Sequence, residues 1–316
     1  MTAVLLASLL LALFLGSVRM SPADVLRALF GIGEEKYSII VRELRLPRIL
    51  AAILAGVGLS VSGLLLQSVT CNRLASPNII GVNAGAGFAA ILTLSMFPRA
   101  VHALPFAAFL GAFAATLLIV RLAASIRASH ISVILAGMAL TAILNAGISF
   151  ISLLEPEVIT AYNDFSIGGL SGVTAERLLV PAILIVLSLA LTAVLAPQIS
   201  MLCLGDRLAA SLGVRVSVIR TVCLLCASAS AAAVVSFAGL LGFVGLIVPH
   251  IAKRLVGIEI RHALPAAALC GAALVLLGDT LGRTLFSPTE LPVGIVMALI
   301  GAPFFLILLL GGRRHA

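Results

Sequence analysis

The chain reads as long uncharged stretches separated by short polar segments. Stretches free of Asp, Glu, Lys and Arg cover residues 1–18, 49–72, 74–98, 100–120, 128–154, 178–205, 221–252, 263–278 and 291–312. An apolar helix crosses a bilayer with about 20 residues, so each stretch is a candidate span. The 221–252 stretch is too long for one helix, and Gly239, Gly242, Gly245 and Pro249 divide it into a long helix and a short one. Ten spans result, with both termini on the same side. Pro and Gly clusters at 75–87 and 287–294 predict short or broken helices, tolerated only where protein or a cavity covers the backbone.

Composition makes the class firm. Of 316 residues, 62% are hydrophobic and 10% charged, against about 25% charged in a soluble domain. That excludes an ordinary soluble enzyme or a nucleic-acid-binding domain, and nucleic acid is no expected partner despite the net charge of +8. The expected fold class is an all-α polytopic membrane protein forming a single domain over 1–316, with the lipid bilayer as its surroundings. Residues 1–18 lack the basic segment of a signal peptide and are read as a retained first span.

Charge placement orients the spans. With the N-terminus inside, the inner segments hold eleven basic residues and two acids, and the outer segments hold nine basic and ten acidic residues. Six of those nine lie in the single outer segment 19–48. The positive-inside rule therefore favours both termini inside, with 19–48 as a basic exception on the periplasmic or extracellular face.

Candidate chemistry is sparse. The five cysteines are no disulfide framework, and Cys223 and Cys226, though spaced as a C-x-x-C pair, lie in an uncharged run and are read as packing residues. Neither lysine stands in a Walker A loop, so the chain does not hydrolyse ATP by that route. Asp279 and Arg283 form an i,i+4 pair near a helix end, as a local ion pair or as part of a relay. The spans carry few ionisable groups, which disfavours an ion-coupled carrier, a passive polar channel or a membrane-embedded enzyme. No metal site and no resident cofactor are expected.

The loop motifs are more specific. Residues 45–48 read RLPR, 72–87 NRLASPNIIGVNAGAG, 135–137 LAG, 168–172 GGLSG, 204–213 LGDRLAASLG, 242–250 GFVGLIVPH and 278–303 GDTLGRTLFSPTELPVGIVMALIGAP. In this order and spacing the series resembles the FecCD family of permeases, the membrane subunits of type II ABC importers for iron-siderophores, haem and vitamin B12. The resemblance covers about residues 40–310. It implies a BtuC-like permease fold of ten helices, with both termini inside, in the cytoplasmic (inner) membrane of a bacterium or archaeon. It also implies the partners: a second permease subunit, identical or paralogous, two ATPase subunits that bind ATP and Mg, and an extracytoplasmic substrate-binding protein.

Site residues carry over by motif. Arg45, Arg48 and Arg283 match outer arginines that meet glutamates of the binding protein, which accounts for the basic outer segment. Leu204, Gly205, Asp206, Arg207, Ala209, Ala210, Leu212 and Gly213 match the cytoplasmic coupling loop, within 197–220, that seats in the ATPase. Asn72, Ser129 and His130 match the cytoplasmic gate, with His130 either a pH-sensitive element or a solvated loop residue. Where the family reads N-P-L-A, this chain has Arg73 in place of the proline. The resemblance implies translocation of an iron-siderophore or similar metal chelate, with haem and cobalamin as alternatives.

Overall fold

The computed structural model describes residues 1–18, 20–125, 130–287 and 289–311, and every regular element among them is helical. In chain order the helices are α1 (Thr2–Phe14), α2 (Pro22–Leu29), α3 (Glu35–Ile39), a π-helical turn (Ile40–Arg45), α4 (Leu46–Val69), α5 (Val82–Met96), α6 (Leu104–Ser125), α7 (His130–Leu154), α8 (Ile159–Ile167), α9 (Ala175–Val194), α10 (Ala196–Leu202), α11 (Asp206–Ser211), α12 (Val216–Ala238), α13 (Val244–Val256), α14 (Ile260–Thr284) and α15 (Val293–Gly311). Among the described residues, six apolar helical stretches are long enough to cross a bilayer: Glu35–Val69, Leu104–Leu122, Leu135–Leu154, Ala175–Val194, Val216–Ala238 and Ile260–Thr284. Thr2–Phe14, Val82–Met96 and Val293–Leu308 are shorter apolar helices.

Helix α4 is the hub. Eighteen of its 24 residues are buried, including Ser60, Ser62 and Gln67, so it has no face left for solvent or lipid along most of its length. Small residues make this possible. Gly56 meets Gly271 of α14 backbone to backbone, so closely that a Cβ on either would collide with the other. Ser60 and Ser68 of α4 do not break the helix, because they return their hydroxyls to carbonyls one turn back, Gly56 O at 2.6 Å and Leu64 O at 2.7 Å. Ser230 of α12 instead crosses to Gly58 O at 3.0 Å and ties α12 to the hub.

The long 221–252 stretch breaks within the expected region. Helix α12 ends at Ala238, and Gly239 and Phe243 both adopt positive φ before α13 begins. The Pro and Gly cluster at 75–87 also behaves as expected, with residues 70–81 irregular and α5 only 15 residues long.

Two boundaries differ from the sequence reading. The first is segment 19–48, which is largely helical rather than a loop. Helix α2 opens on Ser21, whose hydroxyl caps Asp24 N–H at 3.2 Å. From Glu35 the chain is helical without a break into α4. The π turn lies just before Pro47, whose ring and missing N–H disrupt the regular α ladder one turn upstream. The second is the first apolar run, read as a span over 1–18, whose helix stops at Phe14. Arginine side chains from elsewhere in the chain take up its terminal carbonyls.

Candidate functional site

Two candidate sites lie at opposite ends of α4. Its 24 residues rise about 1.5 Å each, which separates them by roughly 36 Å.

At the start of α4, five charged side chains converge from three elements. The Arg48 guanidinium grips Asp279 of α14 along one edge, through Nε at 3.0 and 3.1 Å and Nη2 at 2.9 Å. Its Nη1 donates to Glu290 at 2.6 Å. Asp279 also stands 3.6 Å from Arg283 Nε, one helical turn along α14. Other donors of Arg283 and Arg45 reach the end of α1 and the segment after it. Arg283 Nη2 donates to Ala12 O at 2.6 Å, and Arg45 donates to Leu13 O at 2.7 Å and Val18 O at 2.6 Å. Ala12 and Leu13 carry carbonyls that a helix C-terminus leaves without internal partners, and two cations there also offset the negative end of the helix dipole. The cluster thus explains why α1 is short: its last turn is capped by arginines rather than continued.

This corrects the picture of Arg45, Arg48 and Arg283 as surface residues. Arg45 is 4% exposed and Arg283 3%, and Arg48 is 13% exposed with its donors committed to two carboxylates. Asp279, 2% exposed, belongs to the same buried network rather than to an interfacial pair. The basic side chains of this region that do reach the surface include Arg27, Lys36 and Arg42.

The cluster nevertheless borders an open cleft. A cleft of about 220 Å³ is lined by Arg45, Arg48, Arg283, Glu43, Glu290 and the 171–174 turn. Glu290, 29% exposed, lines it, and its carboxyl lies below the ordinary carboxylate range. Burial alone would raise it, but the hydrogen bond and charge of Arg48, a hydrogen bond from Ser17 and the charge of Arg283 outweigh that. Sequence reasoning missed Glu290. The available signal was an acid isolated between a proline and an apolar run, within a motif already singled out.

At the far end of α4 lies the second site. Helices α10 and α11 form a short helical elbow, anchored where the Cys203 thiol meets Ser68 O of α4 at 3.9 Å. Helix α11 ends in a Schellman turn: Val214 N–H donates to Ala209 O and Gly213 N–H to Ala210 O, each at 3.0 Å. Gly213 has φ of 83°, the left-handed conformation that this turn demands. Ala209 faces inward and is fully buried, while Leu204, Leu208 and Leu212, spaced four apart, are exposed together with Arg207 and Ala210. Asp206 accepts from Arg220 of α12 at 2.7 Å, which braces the elbow against the next helix. Leu208 was not singled out from the sequence, although its i,i+4 spacing places it in the same stripe.

Asn72 follows α4 directly. Its Oδ1 accepts Leu74 N–H at 2.8 Å, forming an Asx turn, and Cys71 before it takes a positive φ of 48°. The turn therefore forms with Arg73 in the place of proline. Ser129 lies outside the described residues, as does the side chain of His130, whose backbone opens α7. The five cysteines are free, with Cys223 buried. Among the described residues, no three His, Cys, Asp or Glu side chains are grouped to hold a metal.

Comparison with known proteins brings these ends into one frame. The model of the FecCD transport family matches residues 4–311. An Fe(3+)-citrate import system permease protein of Bacillus subtilis is 38% identical over 97% of this chain and 92% of its own length. An achromobactin transport system permease protein of Dickeya dadantii is 40% identical over 98% of this chain and 89% of its own. Among solved structures, an inward-facing metal-chelate type ABC transporter superposes with a TM-score of 0.88 at 29% identity, covering 98% of this chain and 97% of that one.

Proposed function

We propose a function from one premise: the chain belongs to the FecCD transport family. It is a multi-pass permease subunit of an ABC importer for chelated iron, and ATP hydrolysis belongs to a separate partner chain. In this reading ten helices (α1, α4–α7, α9 and α12–α15) cross the cytoplasmic membrane, with both termini inside. The cargo is an iron-siderophore or related ferric chelate, and the chain itself carries no cofactor.

The observation that carries the reading is the placement of the two sites. An arginine-lined cleft and a leucine-faced helical elbow occupy opposite ends of one buried helix. The cleft suits the acidic surface of an extracytoplasmic binding protein, whose carboxylates reach in rather than meet arginines on a flat face. Such charge pairing fixes register and speeds encounter more than it adds affinity. The elbow suits a cleft of the ATPase, with Leu204, Leu208 and Leu212 buried on docking and Arg207 at the rim. Asn72, at the same end of α4 as the elbow, belongs to the inner gate, to which the family motif also assigns Ser129 and His130.

Helix α7 supports a second permease subunit. Only 6% of its apolar window is buried within the chain. Asn145 and Ser149, one turn apart, are exposed on it, and polar groups at that depth belong beside a partner or water-filled pathway rather than lipid. A wide pathway between two such helices passes a bulky chelate without dedicated ligands, so selectivity resides in the binding protein.

The test is to reconstitute the chain with its ATPase and binding protein in proteoliposomes. ATP hydrolysis and uptake should rise with a ferric chelate and the binding protein together. Arg48→Glu should abolish the stimulation, with assembly of the complex checked in parallel because the substitution sets a third acid beside Asp279 and Glu290. Stimulation by the binding protein that survives Arg48→Glu would overturn the docking assignment.

A further inference from the structure

The two carboxylates on Arg48 are not equivalent. Asp279 is 2% exposed, projects from the rigid helix α14, and takes the guanidinium edge formed by Nε and Nη2. Glu290 is 29% exposed, sits in the connection between α14 and α15, and takes only Nη1. The first is built in. The second lines the cleft and is the more exposed of the two, so an arriving carboxylate would meet it first.

We propose that Glu290 is a removable plug: it occupies the outward edge of Arg48 in the undocked subunit and yields that edge to a carboxylate of an acidic docking protein. This rests on the docking role proposed for the cleft.

Three features support an exchange. First, it conserves pairing. A guanidinium only 13% exposed cannot stand half-paired without a large penalty, and replacing one carboxylate by another keeps it satisfied throughout. Second, it needs little movement. The backbone beside Glu290 is pinned by Leu291 N–H to Gly282 O at 2.9 Å, so rotation of the flexible glutamate side chain is enough to vacate the site. Third, it is connected to the rest of the fold. Glu290 also faces Ser17 in the α1–α2 connection, the segment whose Val18 O is held by Arg45, so it touches a third part of the chain beside Arg48.

The experiment measures binding of the binding protein from the same transport system to the intact importer in nanodiscs, at low and high salt. Glu290→Gln and Glu290→Ala should each tighten docking about tenfold, because no resident carboxylate then competes for Arg48, and should steepen the salt dependence. Arg48→Gln should weaken docking more than tenfold. Should that variant fail to assemble, Ser171→Glu, an exposed rim position that sets a negative charge against the incoming acid, should weaken docking in its place. If the Glu290 variants bind no tighter than the parent while Arg48→Gln or Ser171→Glu weakens docking, the plug is overturned and the docking cleft stands. If neither cleft variant changes docking, the docking role falls and the plug with it.

Discussion

Removing Asp279 tests the buried cluster most directly. Its carboxylate accepts from two nitrogens of Arg48 and faces Arg283 Nε, an atom that has no hydrogen-bond partner of its own among the described residues. In Asp279→Ala, two nearly buried cations lose their shared counter-charge, and Glu290 remains for Arg48 alone. Taking one partner from a buried pair costs about 3–5 kcal/mol, because the desolvated charge left behind is uncompensated. Two dependent cations place this site at the upper end of that range. A stability loss of this size is measurable by unfolding in mixed micelles, followed by circular dichroism. In a cycle with Arg48→Met, the double variant should lose less than the two single losses together, with a coupling of about 1–3 kcal/mol between the contacting groups. A loss in Asp279→Ala below about 1 kcal/mol, the value of an exposed pair, would refute the reasoning by showing that solvent screens the cluster.

Three further outcomes follow from the geometry. Glu290 has a depressed folded-state pKa, so its contribution to stability is present above its ordinary value and is lost as pH falls through the folded one; the stability gap between the parent and Glu290→Gln should close on acidification below about pH 4.5, and a constant gap would contradict the pairing with Arg48. Gly213→Val places a β-branched residue at φ 83°, where no neighbour obstructs it but the backbone costs about 1–2 kcal/mol; ATP hydrolysed per chelate imported should rise, Gly213→Asn should stay near the parent, and unchanged coupling in the valine variant would remove the turn from the mechanism. Gly56→Ala drives a methyl into the Gly271 backbone and should destabilise by about 1–3 kcal/mol in the same unfolding assay, with Gly271→Ala similar; a neutral result would mean that α4 and α14 do not pack this closely.

The chain's sequence alone determined the helical class, the number and order of apolar runs, the break between α12 and α13, and the family to which the ordered motifs belong. These are local properties: an uncharged run has only one good solvent, and a Gly or Pro cluster interrupts a helix wherever it falls. The position of Gly213 in the coupling loop was legible from its motif, and the turn it makes is likewise a local demand on φ. What the arginines do was not legible. Arg48 finds Asp279 and Glu290 at sequence separations of 231 and 242, and Arg283 reaches Ala12 across 271 residues. A motif tells which arginines gather near one end of the helices. Only the packing of α1, α4 and α14 decided that they lie inside, cap the first helix and already hold carboxylates of their own, because burial depends on which distant segments close over a charge and not on the residues beside it.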